Sequence, residues 1–414
     1  MGFFVRCLAV AGCAAALAGC SLFPSRVAIL WTNQPEFTTY TELFNAAQNR
    51  YKVQIVYKAL PAESIAGAAQ KPDLVVGERI SGATAISQFS ALDQIMGQGG
   101  VDPAEFYKPL LSSGRYEGRQ FLLPVSFDLP MILFHSQGAK PGAPITITLQ
   151  QMKQASLEFR KGSTTSFPRS GFSPLWNPDF LVRAAEISGA DFHQTPRGEL
   201  SWNEQKLQLA IQAMRDWVKE DDGGNAADTS FREKYLYDPV YKLLDSGRIL
   251  YYYMSAAKFF GLPPEMRNTI DFRWLADANG SILAPESVLY IGVPARAPDK
   301  GAAYAFLQWF FRPANQSRIL EASKYEHLKS FGIGDGFSAL QVTDERDFPQ
   351  YYPALLGKIP GPGSLAFPQS LPIDWADLET NVVIPWLQHE ISVPKPDQSL
   401  DARLKTWRLQ KPLQ

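Results

Sequence analysis

Apolar residues along this chain fall into short, compact runs separated by polar breaks, and the runs alternate between two periods. Residues 27–31 form an unbroken apolar run of strand length, ended by the polar stretch 32–36. Phe37, Tyr40, Phe44 and Ala47 then recur at helical spacing, and residues 51–58 return to a strand pattern. Strand, loop, helix and strand in that order predict a right-handed βαβ unit, with the loop at 32–36 leaving the carboxyl end of the first strand. A weak helix near 62–69 and a third strand at 73–77 extend the unit, and loop 78–82 leaves the third strand in the same way. Ligands of open parallel sheets bind outside those ends, so both loops are aimed at one rim.

Residues 122–134 divide the chain. Two short apolar runs are separated there by Pro124, Ser126, Asp128 and Pro130. Proline cannot donate to a central ladder, so the stretch reads as two strand ends and not as one strand. A segment of this kind leaves one lobe and enters another. Asp128 is a carboxylate in an apolar crossing, and two readings stand: it caps a neighbouring amide at a strand-end turn, or it stands with Ser126 at the mouth of a cleft between lobes.

Beyond the crossing the pattern predicts a helix at 146–159, a polar and aromatic stretch at 164–177, and a helix at 178–188. Ser201 and Glu204 have the spacing of a capping box ahead of the apolar face formed by Leu207, Ile211, Met214 and Val218. A turn at 221–225, a helix at 235–244 made irregular by Pro239, and strands at 247–254 and 287–293 follow. A helix at 299–311 presents Ala303, Phe306, Leu307 and Phe310 as core packing. After residue 330 proline is frequent, the glycine-rich stretch 332–336 reads as a turn, and helices are predicted only at 371–389 and 399–409.

The N-terminus changes the picture by naming a compartment. Arg6 supplies a positive charge, residues 7–17 are an apolar run too short to span a bilayer, and small residues lead to Cys20, the pattern of a cleaved export signal. Leu17, Ala18, Gly19 and Cys20 resemble the lipobox of bacterial lipoproteins, in which the cysteine is lipidated and becomes the first mature residue. On that resemblance residues 1–19 are a signal peptide, Cys20 is an anchor, and 20–26 are a tether. All three cysteines lie at or before position 20, so the mature chain has no intramolecular disulfide. The formal net charge of −1, from 40 basic and 41 acidic residues, offers no electrostatic attraction for nucleic acid.

Catalytic motifs are absent. The four histidines show no metal spacing, and no nucleophile elbow, phosphate-binding glycine loop or paired-cysteine motif occurs, so neither a metal nor a cofactor is expected. Two carboxylates converging from distant segments, as in a glycosidase, would leave no trace in sequence spacing.

Together the lipobox, the opening at 27–33, the strand at 72–76, the crossing at 123–128, the stretch 245–250 and the helix at 300–309 resemble a family 1 extracellular solute-binding protein, the receptor lipoprotein of an ABC importer. The resemblance spans nearly all of the mature chain. It implies an α/β fold of two lobes around a ligand cleft, with hinge closure on binding and no enzymatic activity. Lobe I would hold 27–126 and 283–325, and lobe II 127–282 and 326–414. The implied ligand contacts are Trp31, Asn33, Gln34 and Glu36, then Glu78 and Arg79, then Ser126 and Asp128, and finally Tyr252 and Tyr253. Arg169, Trp176, Glu286 and Ser287 occupy places that often face the cleft. Aromatic rings and planar polar groups suit a saccharide's ring faces and hydroxyls. Each aromatic could equally be core, and Glu78 with Arg79 could equally be a solvated surface pair. His135 stands where such chains usually carry asparagine. The expected partners are a small polar ligand, most simply a sugar, and the permease subunits of an importer, with the protein monomeric and held at the cell envelope. A lipid-anchored glycan hydrolase, and a sensor or adhesin that keeps the fold, are the alternatives.

Overall fold

The computed structural model of the protein describes residues 26–138, 142–221, 224–285, 287–326, 328–393 and 398–410. The signal-like segment with Cys20, and Glu286, lie outside the described residues.

The strands β1 (Arg26–Thr32), β2 (Tyr51–Tyr57), β3 (Leu74–Glu78) and β4 (Leu122–Phe127) belong to one sheet. β1 pairs in parallel with both β2 and β3, and the helix Phe37–Ala47 connects β1 to β2, as the apolar spacing predicts. Across Asp128 and Leu129 the chain enters a second sheet made of β5 (Pro130–His135), β6 (Thr146–Thr148), β7 (Tyr252–Ser255) and β8 (Ile270–Ala276), in the order β7-β5-β8-β6. It then returns, and β9 (Leu289–Gly292) and β10 (Phe337–Ser338) complete the first sheet in the order β10-β4-β9-β3-β1-β2. Two sheets, each with its own helices, make two lobes.

The first crossing falls at 128–129 and the second between β8 and β9. The third does not fall at residue 325. β10 pairs antiparallel with β4, Phe337 opposite Phe127, so the first lobe keeps the chain beyond that point. The tail then reaches the second lobe, where the helix Ile384–Ser392 packs on the helices Pro178–Ile187 and Glu204–Asp221.

Local differences from the sequence reading have local causes. The predicted helix at 146 starts only at Leu149, because 146–148 pair in parallel with β8 and Thr148 with Gln151 forms the capping box. Asn203, not Ser201, caps the next long helix: its Oδ1 accepts from Lys206 N at 3.1 Å. β8 escaped the sequence reading, although Ile270, Phe272 and Trp274 alternate on its buried face. The helix Asn225–Tyr235 was also missed, and the strand predicted at 247–254 shrinks to Tyr252–Ser255.

Aromatic rings tie the lobes together at the crossings. Phe367 meets Phe127 edge-on at 5.1 Å, Trp274 of the second sheet lies 5.8 Å from Phe337 of the first, and Phe260 stacks on Phe331 at 4.7 Å. Ile282–Leu283 and Leu365–Ala366, from two different crossings, pair in parallel. The glycine-rich stretch is the turn expected of it. Gly332 and Gly334 sit at φ +60° and +55°, and a Cβ on Gly334 would come within 2.8 Å of the Leu289 side chain and 3.0 Å of Ser126 Oγ. Glycine there lets the turn lie flat on β4 and β9. Gly334→Ala should therefore lower stability by about 1–3 kcal/mol, read as a shift of the urea midpoint, whereas an unchanged midpoint would mean that the turn relaxes freely.

Candidate functional site

Because β1, β2 and β3 run parallel, the loops that follow them emerge on one rim of the first lobe. The rim is stitched by backbone: Lys58 N donates to Thr32 O at 3.0 Å, and Asn33 Nδ2 donates to Ala59 O at 3.3 Å. Opposite this rim stands the second-lobe segment 373–377. Between them lies a cavity of about 560 Å³, lined by Asn33, the loop 59–63, Gly77, Glu78 and Arg79 on one side and by Ile373, Asp374, Ala376 and Asp377 on the other. That volume falls in the usual range for small-molecule sites.

The wall is polar and shaped by strained backbone. Arg79 occupies the left-handed region at φ +55° and its Nη1 pairs with Glu78 Oε2 at 2.8 Å, with both side chains partly exposed to the cavity. A bulky non-glycine residue at positive φ is uncommon and persists where its surroundings hold it. Asn33 Oδ1 is buried and has no hydrogen-bond partner, which leaves an acceptor for a ligand on a cavity-lining side chain. Near the rim's far edge, Ser81 Oγ lies 3.2 Å from Ser370 Oγ and Gly82 faces the Gln194 side chain, so the two lobes touch there.

Of the residues expected from the sequence, Asn33, Glu78 and Arg79 line this cavity together. Trp31 lies behind them, buried, with Lys58 Nζ 4.8 Å from its ring centre. Gln34 is half-buried beside them, its backbone N–H donating to Thr32 Oγ1 at 3.0 Å.

Glu36, Ser126 and Asp128 gather instead at the crossing. Asp128 Oδ1 accepts from Leu129 N at 2.7 Å and Ala257 N at 3.0 Å, so it is an amide cap that fastens the helix Ala256–Phe260 to the crossing. Burial pushes its carboxyl up to about 6, against the pull of Ser255 and the two amides. Ser126 Oγ donates to Gly334 O at 2.9 Å. Glu36 is buried and its Oε1 has no partner; burial, with Asp335 adding like charge, raises its carboxyl to about 7.

The second-lobe aromatics are core. Trp176 stacks on Phe231 at 5.5 Å and donates from Nε1 to Asp228 Oδ1 at 2.9 Å, and Tyr253 is 4% exposed with its ring against Phe180. Tyr252 is half-buried in β7, Ser287 is half-buried just ahead of β9, and neither lines the cavity. Arg169 lies in a separate second-lobe cavity. The loop 59–63 was missed, although extending the carboxyl-end rule to β2 would have found it. The segment 373–377 carries no local signal, since only the folded tail brings it across.

No family model and no characterised protein matches the chain by sequence. Solved structures do match in shape. The sugar-binding protein MalE from Xanthomonas citri superposes with a TM-score of 0.67 at 12% identity, over 93% of this chain and 96% of that one. The GacH receptor of Streptomyces glaucescens, studied unliganded and in complex with acarbose, gives 0.62 at 13% identity over 94% and 98%. An ABC substrate-binding protein from Listeria monocytogenes in complex with cycloalternan gives 0.63 at 12% identity over 92% and 97%. The fold is that of the MalE-like substrate-binding proteins. Two of these neighbours are named as binding proteins and one as a receptor.

Two expectations follow. Trp176→Ala and Tyr253→Ala should each cost about 3–5 kcal/mol of stability while leaving ligand affinity intact, and lost affinity at an unchanged melting temperature would restore them to the site. Glu36 and Asp128 hold protons in the folded state to higher pH than in the unfolded chain. Their contribution to stability is thus full below the unfolded carboxylate range and lost as pH rises through about 6 to 7. Urea melts of Glu36→Gln should show a shallower loss between about pH 5 and pH 8 than those of the unsubstituted chain; equal slopes would remove Glu36 as a source.

Proposed function

We propose that the protein captures a carbohydrate in the interlobe cavity and delivers it to the permease subunits of an ABC importer. In this reading it is an exported monomer held at the cell envelope by lipid on Cys20. The observation that supports it is the placement of a cavity of about 560 Å³ across the rim of parallel-strand carboxyl ends, in a fold shared with proteins solved with acarbose and cycloalternan.

The lining suits a polyhydroxylated ligand. The carboxylates of Glu63, Glu78, Asp374 and Asp377, the amide of Asn33 and the guanidinium of Arg79 offer planar, paired acceptors and donors to adjacent hydroxyls. Leu60, Pro61 and Ile373 supply apolar surface for ring faces. No aromatic residue lines the cavity among the described residues, so polar contacts carry the specificity here. With walls on different lobes, a ligand that bridges them favours the closed arrangement by its differential contacts, and the crossings act as the hinge.

Thermal unfolding against a panel of saccharides tests this. A sugar at ~100 times its dissociation constant should add about 2.7 kcal/mol of stability, and no response to any saccharide would overturn the carbohydrate reading. Glu78→Gln and Asp377→Asn should each weaken that sugar's binding by about tenfold or more with little change in the unliganded melting temperature. Cys20→Ser should release the protein from membranes, and undiminished retention would refute the anchor.

A further inference from the structure

A second cavity, of about 290 Å³, lies wholly within the second lobe and is lined by Arg160, Ser163, Arg169, Ser170, Ser230 and Lys234 among others. Its volume is near the lower bound of small-molecule pockets, about 300 Å³. Among the described residues no acidic side chain lines it. Three acids lie close to the lining in sequence: Glu158, paired with Lys161; Asp228, which accepts from Trp176 Nε1; and Glu233, next to Lys234; none of Arg160, Arg169 and Lys234 forms an ion pair among the described residues. Three cations thus share one cavity, and none of them is ion-paired among the described residues.

The central cation is held in place before any ligand arrives. The Arg169 guanidinium lies 4.4 Å over the Phe159 ring, and it covers Gly162 so closely that a Cβ there would fall 1.6 Å from Nη2. Its Nε is buried and has no hydrogen-bond partner. Beside it, Arg248 is sandwiched between Phe167 at 4.2 Å and Tyr235 at 4.3 Å and donates to Pro168 O at 2.7 Å, which fixes the loop that carries Arg169. Ser163 Oγ already accepts from Arg169 N at 3.1 Å, so its hydroxyl proton remains available to donate. A stacked, pre-oriented guanidinium with flanking hydroxyls matches a tetrahedral oxyanion, whose oxygens accept several charge-assisted hydrogen bonds at once.

We infer that this cavity is an oxyanion site, separate from the interlobe cavity, for a phosphate group either free or carried as a phosphomonoester on a small solute. Isothermal titration of the full chain with inorganic phosphate and with glucose 6-phosphate, at ionic strength held constant with chloride, tests it. Saturable binding of either ligand is expected, weakened at least tenfold, about 1.4 kcal/mol, in Arg169→Gln and in the double variant Arg160→Gln with Lys234→Gln. Response to inorganic phosphate would identify the free ion as sufficient, and response to the ester alone would identify the esterified group. The double variant changes side chains that make no stacking contact with Phe159, so it reads binding even if Arg169→Gln fails to fold. No saturable heat with either ligand, or equal affinity in the folded variants and the unsubstituted chain, would overturn the assignment.

Discussion

Everything in this molecule hangs on three strands of chain that must pass between two sheets without exposing their backbone or collapsing the lobes into one. The solution is a polar staple inside an aromatic sleeve. Asp128 takes two amides, one from the crossing itself and one from the first turn of the helix after β7, so a single buried carboxylate locks the first crossing to the second lobe. Around it, Phe127, Phe337, Phe331, Phe260, Trp274 and Phe367 form a chain of ring contacts that touches both sheets. Burying such rings contributes a few kcal/mol each, and their mixed edge-to-face and stacked geometry narrows how one sheet can sit on the other.

That constraint positions the cleft. With the crossings stitched at one end, the parallel strands of the first lobe point their carboxyl ends toward the tail of the second, and the cavity opens between them. Charge is arranged accordingly. Glu36 and Asp128, sealed at the crossing, have carboxyls pushed toward neutrality by burial, while the carboxyl groups of Glu63, Glu78, Asp374 and Asp377 line the cavity, where planar groups can meet hydroxyls. Acids of the same type thus serve as hinge parts in one place and as candidate ligand contacts in the other.

The candidate site was partly legible in the sequence. Asn33, Glu78 and Arg79 follow directly from the rule that loops at carboxyl ends of parallel strands face a ligand, since that rule depends only on strand order. Trp176 and Tyr253 do not follow from any such rule. Their aromatic character suited stacking on a sugar as well as packing in a core, and their partners, Phe231 and Phe180, lie at distances in sequence that no periodicity reports. The same holds for Arg169, whose neighbours Phe159 and Lys234 gather only when the helix Asn225–Tyr235 folds back on the loop.

By itself the sequence determined the two-lobe plan: the βαβ opening, the proline-marked crossing and the glycine turn are local patterns whose backbone demands are met or broken within a few residues. It also marked the rim, because strand direction follows from the alternation of strand and helix. Tertiary structure alone decided where the third crossing falls, since β10 is too short to show a period and is recognised only by its ladder with β4. It alone brought residues 373–377 across the cleft and turned Asp128 from a possible ligand contact into a cap. Those outcomes depend on which distant groups become neighbours, and burial and hydrogen bonding between distant groups leave no period in a chain.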